Sequence, residues 1–203
     1  MTFNVRTIGP EPTGATPIDE EDLRGLIPEF IATRADLNQV EYENILRYLP
    51  EAQRRARGKP EVVLSYGFMM GLHRGMFCDV WRWAGTLRRR ETNIGVDPSL
   101  IAPHSMQILG DANYWHENGV FSPDELAARI HARLVQVHPF PNGNGRSTRL
   151  IADLYLYSIG IDAFTWGSET LDIDGTTRQL YLECLLESLG ADDFSRLVHF
   201  ARS

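Results

Sequence analysis

The sequence predicts an all-α helical bundle carrying one small β-hairpin. Three observations lead there. Apolar residues recur at helical spacing, most clearly Leu126, Ile130, Leu134 and Val137. Helix start and stop signals bound such segments, as in Ser122-Pro123-Asp124-Glu125 and at Gly160. Only one stretch, Leu87 to about Val96, reads as a short hairpin, with Asn93 and Gly95 as its turn formers.

The elements follow in order. Residues 1–22 contain Gly9-Pro10-Glu11-Pro12-Thr13-Gly14 and Asp19-Glu20-Glu21-Asp22, a composition that predicts a mobile lead segment ahead of a single domain over 23–203. Asp36 to Tyr48 reads as a helix stopped by Pro50. Val62 to Phe77 reads as one long apolar helix, with Met69 and Met70 expected in the core. Trp81 and Trp83 are expected to pack where the chain turns into the hairpin. Leu100 to Trp115 is helical in pattern. The next helix starts at Ser122, where Glu125 completes a capping-box signal, and runs to His138. Arg146 to Ser158, Thr176 to Ser188 and Asp193 to Ala201 complete the bundle. A chain of 203 residues is long enough for one full hydrophobic core.

The densest chemistry lies in His138-Pro139-Phe140-Pro141-Asn142-Gly143-Asn144-Gly145-Arg146, followed by Arg149. Gly143 and Gly145 free the backbone to aim N–H groups at one point, an anion-binding nest. A helix begins directly after them, and its N-terminus also favours negative charge. Arg146 and Arg149 are three apart, share a helix face, and can reach the same anion. His138 precedes the turn and can exchange a proton beside it. The pattern is a phosphate cradle with a base next to it. Asn-Gly-Asn-Gly alone is an ordinary turn; it is the conjunction with His138 and the two arginines that is informative. A P-loop would need a lysine after the last glycine, where Arg146 stands. A metal site built on His131 and His138 lacks any HExxH spacing.

This segment resembles the Fic family motif His-x-Phe-x-(Asp/Glu)-Gly-Asn-Gly-Arg-x-x-Arg at every position except Asn142. Trp83-Ala84-Gly85, Arg88 and the stretch to Val96 resemble the family's pre-flap tryptophan motif and target-docking hairpin. Thr92-Asn93-Ile94-Gly95-Val96-Asp97 and Leu26-Ile27-Pro28, Thr33-Arg34, Leu37-Asn38 are similar to its "mobile mystery protein B" subgroup. The resemblance covers about residues 20 to 200.

It implies a Fic-like helical bundle and a protein adenylyltransferase that moves AMP from ATP to a Ser, Thr or Tyr hydroxyl of a target protein, with self-modification left open. His138 would be the general base and Phe140 the loop anchor. Gly143, Asn144 and Gly145 would form the anion hole, and Arg146 and Arg149 would bind the triphosphate. The flap residues Arg90, Thr92, Asn93, Ile94 and Gly95 would dock the target backbone as an added strand. The family's acidic residue holds Mg²⁺. Asn142 in its place offers an oxygen without charge, so the metal is expected to be weakly held by protein, with Asn142 as its uncertain ligand. The alternative is a catalytically divergent or inactive nucleotide-binding or protein-interaction module. The family's inhibitory pattern (Ser/Thr)-x-x-x-Glu-(Gly/Asn) has Leu37 at the glutamate position. Glu41 and Glu43 are nearby substitutes that read as an exposed helix face.

Net charge is −7, which argues against nonspecific binding to nucleic acid or membranes. The Arg88-Arg89-Arg90 run in the flap is either partner-facing or simply solvated. Arg54, Arg55, Arg57 and Lys59 read as a solvated helix end. Cys78 and Cys184 fit no metal spacing and are expected to be buried free thiols in a reducing compartment. Neither a signal core nor a run long enough to span a bilayer is apparent, so the cytoplasm is expected.

Overall fold

The computed structural model describes residues 18–167 and 175–203. Most of the lead segment, residues 1–17, lies outside the described residues. Its last residues open a short helix, α1 (Glu20–Leu23), capped by the Asp19 side chain. Helix α2 (Arg34–Ala56) begins at a full capping box: Thr33 accepts from the Asp36 backbone, and Asp36 accepts from the Thr33 backbone at 2.8 Å. Pro50 does not stop α2. Pro50 and Leu46 lie on the exposed side, where water can take the Leu46 carbonyl that loses its partner. Ala52 and Ala56 beyond it are fully buried and hold the last turns in place.

The expected long helix is broken. Ser65 donates to Val62 O at 2.7 Å and accepts from Phe68 N–H at 3.1 Å. One hydroxyl therefore closes α3 (Pro60–Val63) and caps α4 (Tyr66–Phe77). A 3₁₀ turn, Pro98–Leu100, leads into α5 (Ile101–Asn118), which ends at the left-handed Gly119. Helix α6 (Pro123–Val137) is capped by Ser122, while Glu125 turns to Arg129 at 3.0 Å instead of reaching back to the cap. Helices α7 (Asn144–Ser158), α8 (Gly175–Ala191) and α9 (Ser195–Arg202) follow.

The bundle is built around α6 and α7, an antiparallel pair joined by the cradle loop. Helix α5 packs on α6, α2 and α4 pack on each other and on α7, and α8 and α9 cover the far side of α6. One hydrophobic cluster runs through these helices, with Phe68, Leu72, Leu134, Phe140, Ile151 and Phe194 among its buried members. Met69 is buried, and Met70 packs against the cluster. Trp81 and Trp83 stack at 4.7 Å. Cys184 is a buried free thiol, but Cys78 is exposed, because it caps the surface end of α4.

The expected β-hairpin does not form. No strand occurs among the described residues; there is one isolated bridge, between Leu26 and Trp81. Residues 87–96 are an irregular excursion with bends at 90 and 93–95. Its ends bond to the last residue of α6 and the loop after it instead of to each other: Arg88 N–H to Pro139 O at 3.0 Å, and Val96 N–H to Val137 O at 3.3 Å. The Arg88 side chain fills the interior. Its guanidinium donates to Arg90 O, Val96 O and His138 O, spending carbonyls that a ladder would need.

Candidate active site

The loop between α6 and α7 is held from both ends and from below. His138 is the C-cap of α6 in the left-handed conformation, φ 55° and ψ 62°. A side chain rarely adopts that conformation, and here its surroundings maintain it. Its N–H donates to Leu134 O at 3.1 Å, and its carbonyl accepts from Arg88 Nε at 2.6 Å. A Cβ on Gly95 would come within 2.8 Å of the His138 Cβ, so the flap lies directly on this residue. Burial pushes the imidazole down to about 4, against a raising hydrogen bond to the Val135 backbone. Above that pH the ring is neutral and able to take a proton.

Phe140 is fully buried under the loop. Asn144, the first residue of α7, grips the Phe140 backbone twice: Oδ1 accepts from its N–H at 2.8 Å and Nδ2 donates to its carbonyl at 2.7 Å. The Asn144 side chain is therefore a loop clamp, and only its backbone faces the helix entrance. Gly143 caps α7 with φ 78° and no side-chain acceptor. It must be glycine for a second reason: a Cβ would lie 2.7 Å from the Phe77 ring. Gly145 is different from what its sequence context suggests. It is an ordinary helical residue, and the space where a Cβ would sit is open.

Asn142 is buried, and its Oδ1 accepts from Gly143 N–H at 2.7 Å and from Arg146 Nη2 at 3.4 Å. The turn itself uses the oxygen that a metal would need, and takes the Gly143 N–H from the nest. Among the described residues there is no group of three or more His, Cys, Asp or Glu that could hold a metal. The residues at this position do not fit a resident Mg²⁺. His131 sits in the core, its ring nitrogens 3.1 Å from Thr148 Oγ1 and 2.9 Å from Tyr181 Oη.

The two arginines leave one helix face in different directions. Arg146 passes over the Phe77 ring at 5.0 Å and donates to Glu41 Oε2 at 2.7 Å. Arg149 lies over the Tyr181 ring of α8 at 5.7 Å. Glu41 was expected on an exposed face but is 1% exposed, and its other oxygen accepts from the Trp81 indole at 2.7 Å. A signal for this was present: Glu41 falls on the α2 stripe with Leu37, Asn44 and Ala52, all buried. Glu43 does stay on the exposed face, accepting from Gln39.

Within the flap, Asn93, Ile94 and Gly95 form the bend, and the Thr92 hydroxyl beside them donates to Ile94 O at 2.5 Å. Arg90 turns away from them to α1, donating to Asp19 and Asp22 at 2.9 Å each and pairing with Glu21. Arg88 is buried rather than solvated. Beside the flap lies a groove of about 580 Å³, lined by Ile94, Val96, His104, Asp111, Arg133 and Gln136. Sequence reasoning missed His73 altogether. This fully buried histidine of α4 stacks on Phe140 and contacts the Asn142 carbonyl at 3.0 Å.

Residues 63–156 match the Fic/DOC family. The chain is 32% identical to protein adenylyltransferase fic-1 of Caenorhabditis briggsae and 34% identical to that of Caenorhabditis elegans, each over 80 residues. Those alignments cover 38% of this chain and 16% of each relative, so the chain corresponds to a small part of either protein. A Fido domain-containing protein of Dictyostelium discoideum is 34% identical over 33% of this chain and 47% of its own length. Among solved structures, a Fic domain containing signalling protein of Bacteroides thetaiotaomicron aligns with a TM-score of 0.62 at 21% identity, over 80% of this chain and 62% of that one. The C. elegans Fic-1 fragment aligns at 0.56 with 25% identity, over 80% and 45%. BepC of Bartonella tribocorum with bound AMPPNP aligns at 0.60 with 14% identity, over 85% and 87%. The fold is the helical Fic fold.

Proposed function

From a chain of this fold, whose residues 63–156 match the Fic/DOC family, we propose a protein adenylyltransferase that moves AMP from ATP to a hydroxyl on a target protein. The observation that carries this reading is a buried His138 standing one short loop from the N-terminus of α7; burial holds its imidazole down, which favours the proton-accepting form. A named adenylyltransferase among the relatives and a neighbour with bound AMPPNP support it.

The chemistry would run as follows. The acceptor hydroxyl gives its proton to the His138 imidazole as its oxygen attacks the α-phosphorus. The bond from that phosphorus to the bridging oxygen of the β-phosphate breaks, and pyrophosphate leaves. Transfer of this kind depends mostly on positioning and electrostatics. The first turn of α7 supplies N–H groups and the positive end of its dipole. Arg146 and Arg149 supply permanent positive charge on side chains that can turn to the phosphates. Thr92 to Gly95 would meet the target backbone, with the protein itself a further acceptor.

The same reading puts the protein in the cytoplasm. An exposed free Cys78 suits a reducing compartment, and no described helix is long and apolar enough to cross a membrane.

Incubation with ATP labelled on the α-phosphate should label a protein acceptor, whereas γ-labelled ATP should not. Label arriving from the γ-position would refute the reaction assigned. A second reading, a nucleotide-binding module without transfer, draws on the neutral Asn142 and the Glu41 contact to Arg146. It predicts ATP binding with no label transferred from either position.

A further inference from the structure

His73 has no exposed surface, and both of its ring nitrogens are engaged across the fold. Nδ1 accepts from Gly85 N–H at 3.0 Å, and Nε2 lies 3.0 Å from the carbonyl oxygen of Asn142. An amide N–H can only donate and a carbonyl can only accept. The ring must therefore accept at Nδ1 and donate from Nε2, which defines one neutral tautomer. Burial acts in the same direction, pushing the imidazole down to about 3.

The ring also forms the floor of the cradle. It stacks on Phe140 with centroids 3.7 Å apart and an interplanar angle of 17°, and touches Phe77 at 4.8 Å. A Cβ on Gly143 would stand 3.4 Å from Nε2. The peptide joining Asn142 to Gly143 is planar, so holding its carbonyl orients the whole unit that leads into α7. At the other nitrogen, Gly85 closes the turn from which the flap departs, with φ 76°. Thr86 N–H donates to Trp83 O at 2.9 Å in the same turn.

We propose that His73 is a positioning residue of the nucleotide site, its Nε2–H tautomer fixing the Asn142–Gly143 peptide and tying the flap base to the cradle. This rests on reading the α7 N-terminus as the nucleotide site. His73 touches no reacting atom in this scheme; it acts through the peptide it holds.

The test compares wild type, His73→Phe and His73→Gln by ATP calorimetry, α-label transfer and thermal melting. Phenylalanine keeps the stacked ring and loses both hydrogen bonds. Glutamine can restore them, its oxygen accepting from Gly85 and its nitrogen donating to Asn142. ATP affinity and transfer should fall roughly tenfold or more in His73→Phe and return to within about threefold in His73→Gln. A folded His73→Phe that binds ATP within about twofold of wild type would overturn the proposal. So would a folded His73→Gln no better than His73→Phe. If His73→Phe does not fold, His73→Asn takes its place, its amide able to meet Gly85 but too short to hold the Asn142 carbonyl: a roughly tenfold loss of ATP affinity that His73→Gln restores supports the role, and affinity within about twofold of wild type in a folded His73→Asn overturns it. Arg146→Gln separates the two levels. Equal ATP binding by it and wild type would refute the nucleotide site, and this inference with it. Loss of ATP by Arg146→Gln with retention by His73→Phe refutes this inference alone.

Discussion

Glu41 Oε2 and Arg146 Nη1 lie 2.7 Å apart, although 105 positions separate them in the chain. Glu41 is buried and anchored by the Trp81 indole, while Arg146 keeps 24% of its side chain exposed. The acid is therefore the fixed partner and the arginine the movable one. A buried carboxylate beside the cradle also lowers the positive potential that a triphosphate would meet. On the proposed reading, Glu41 and the nucleotide phosphates would compete for the same guanidinium.

Glu41→Gln should therefore tighten nucleotide binding. The amide is nearly isosteric and can still accept from Trp81, but brings no charge. Calorimetry with ATP should show affinity raised by about three- to tenfold. Weaker binding by a folded Glu41→Gln would mean that the acid positions Arg146 for the phosphates instead of competing with them.

The pH dependence of transfer should report the His138 burial. Its ionisation is lowered from 6.5 to about 4. The proton-accepting form then persists as pH falls through 6.5, and activity should be lost only as pH falls through the region near 4. In the free protein, kcat/KM should be flat from pH 6 to 7.5. An acid limb centred near 6.5 would contradict a buried neutral base.

His138→Asn is the cleaner catalytic knockout than His138→Ala. Residue 138 sits at φ 55°, a conformation asparagine adopts more readily than alanine. His138→Asn should melt near wild type and transfer no AMP. Transfer within a few-fold of wild type would remove His138 from the base role.

Arg88 should govern the flap independently of nucleotide. Its guanidinium joins Arg90 O and Val96 O of the flap to His138 O. Arg88→Lys keeps charge but loses the planar fork. Modification of a target should drop, ATP affinity should hold, and proteolysis within residues 88–96 should accelerate. Unchanged proteolysis and transfer would show that the three bonds do not hold the flap.

Asp153 offers a stability test away from the loop. Burial raises its carboxyl to about 7, although it accepts from the Trp166 indole at 3.0 Å. A folded value above the unfolded one means that its contribution is full below about 4 and lost as pH rises through 7. Asp153→Asn removes that titration. The melting temperature of Asp153→Asn relative to wild type should rise between pH 5 and pH 8. A difference independent of pH would show that Asp153 does not titrate in this range.

Much was legible in the sequence because it depends on short-range rules. The Ser122-Pro123 start, the Leu126–Ile130–Leu134 stripe and the stop at Gly160 follow from capping and periodicity within a few residues. The turn between α6 and α7, with the left-handed Gly143 at its end, was legible for the same reason, whereas Gly145 lies inside α7 and Arg146 and Arg149 diverge to partners no local pattern names. Pro50 and Ser65 misled because each local signal had two outcomes. Burial of Ala52 and Ala56 carried α2 through the proline, and the two bonds of one hydroxyl split the helix at Ser65.

What the sequence determined by itself is the all-α class, the order of its main helices and the chemistry gathered at the α6–α7 turn. Tertiary structure alone decided who meets that turn. His73 and Gly85 from α4 and the turn beyond it, Glu41 from α2, and Arg88 at the flap base reach it from distant parts of the chain. Their hydrogen bonds also decided that the flap follows the end of α6 instead of folding on itself. The physical reason is that a buried polar group must find a partner wherever packing brings one, and residues far apart in sequence carry no local pattern that names that partner.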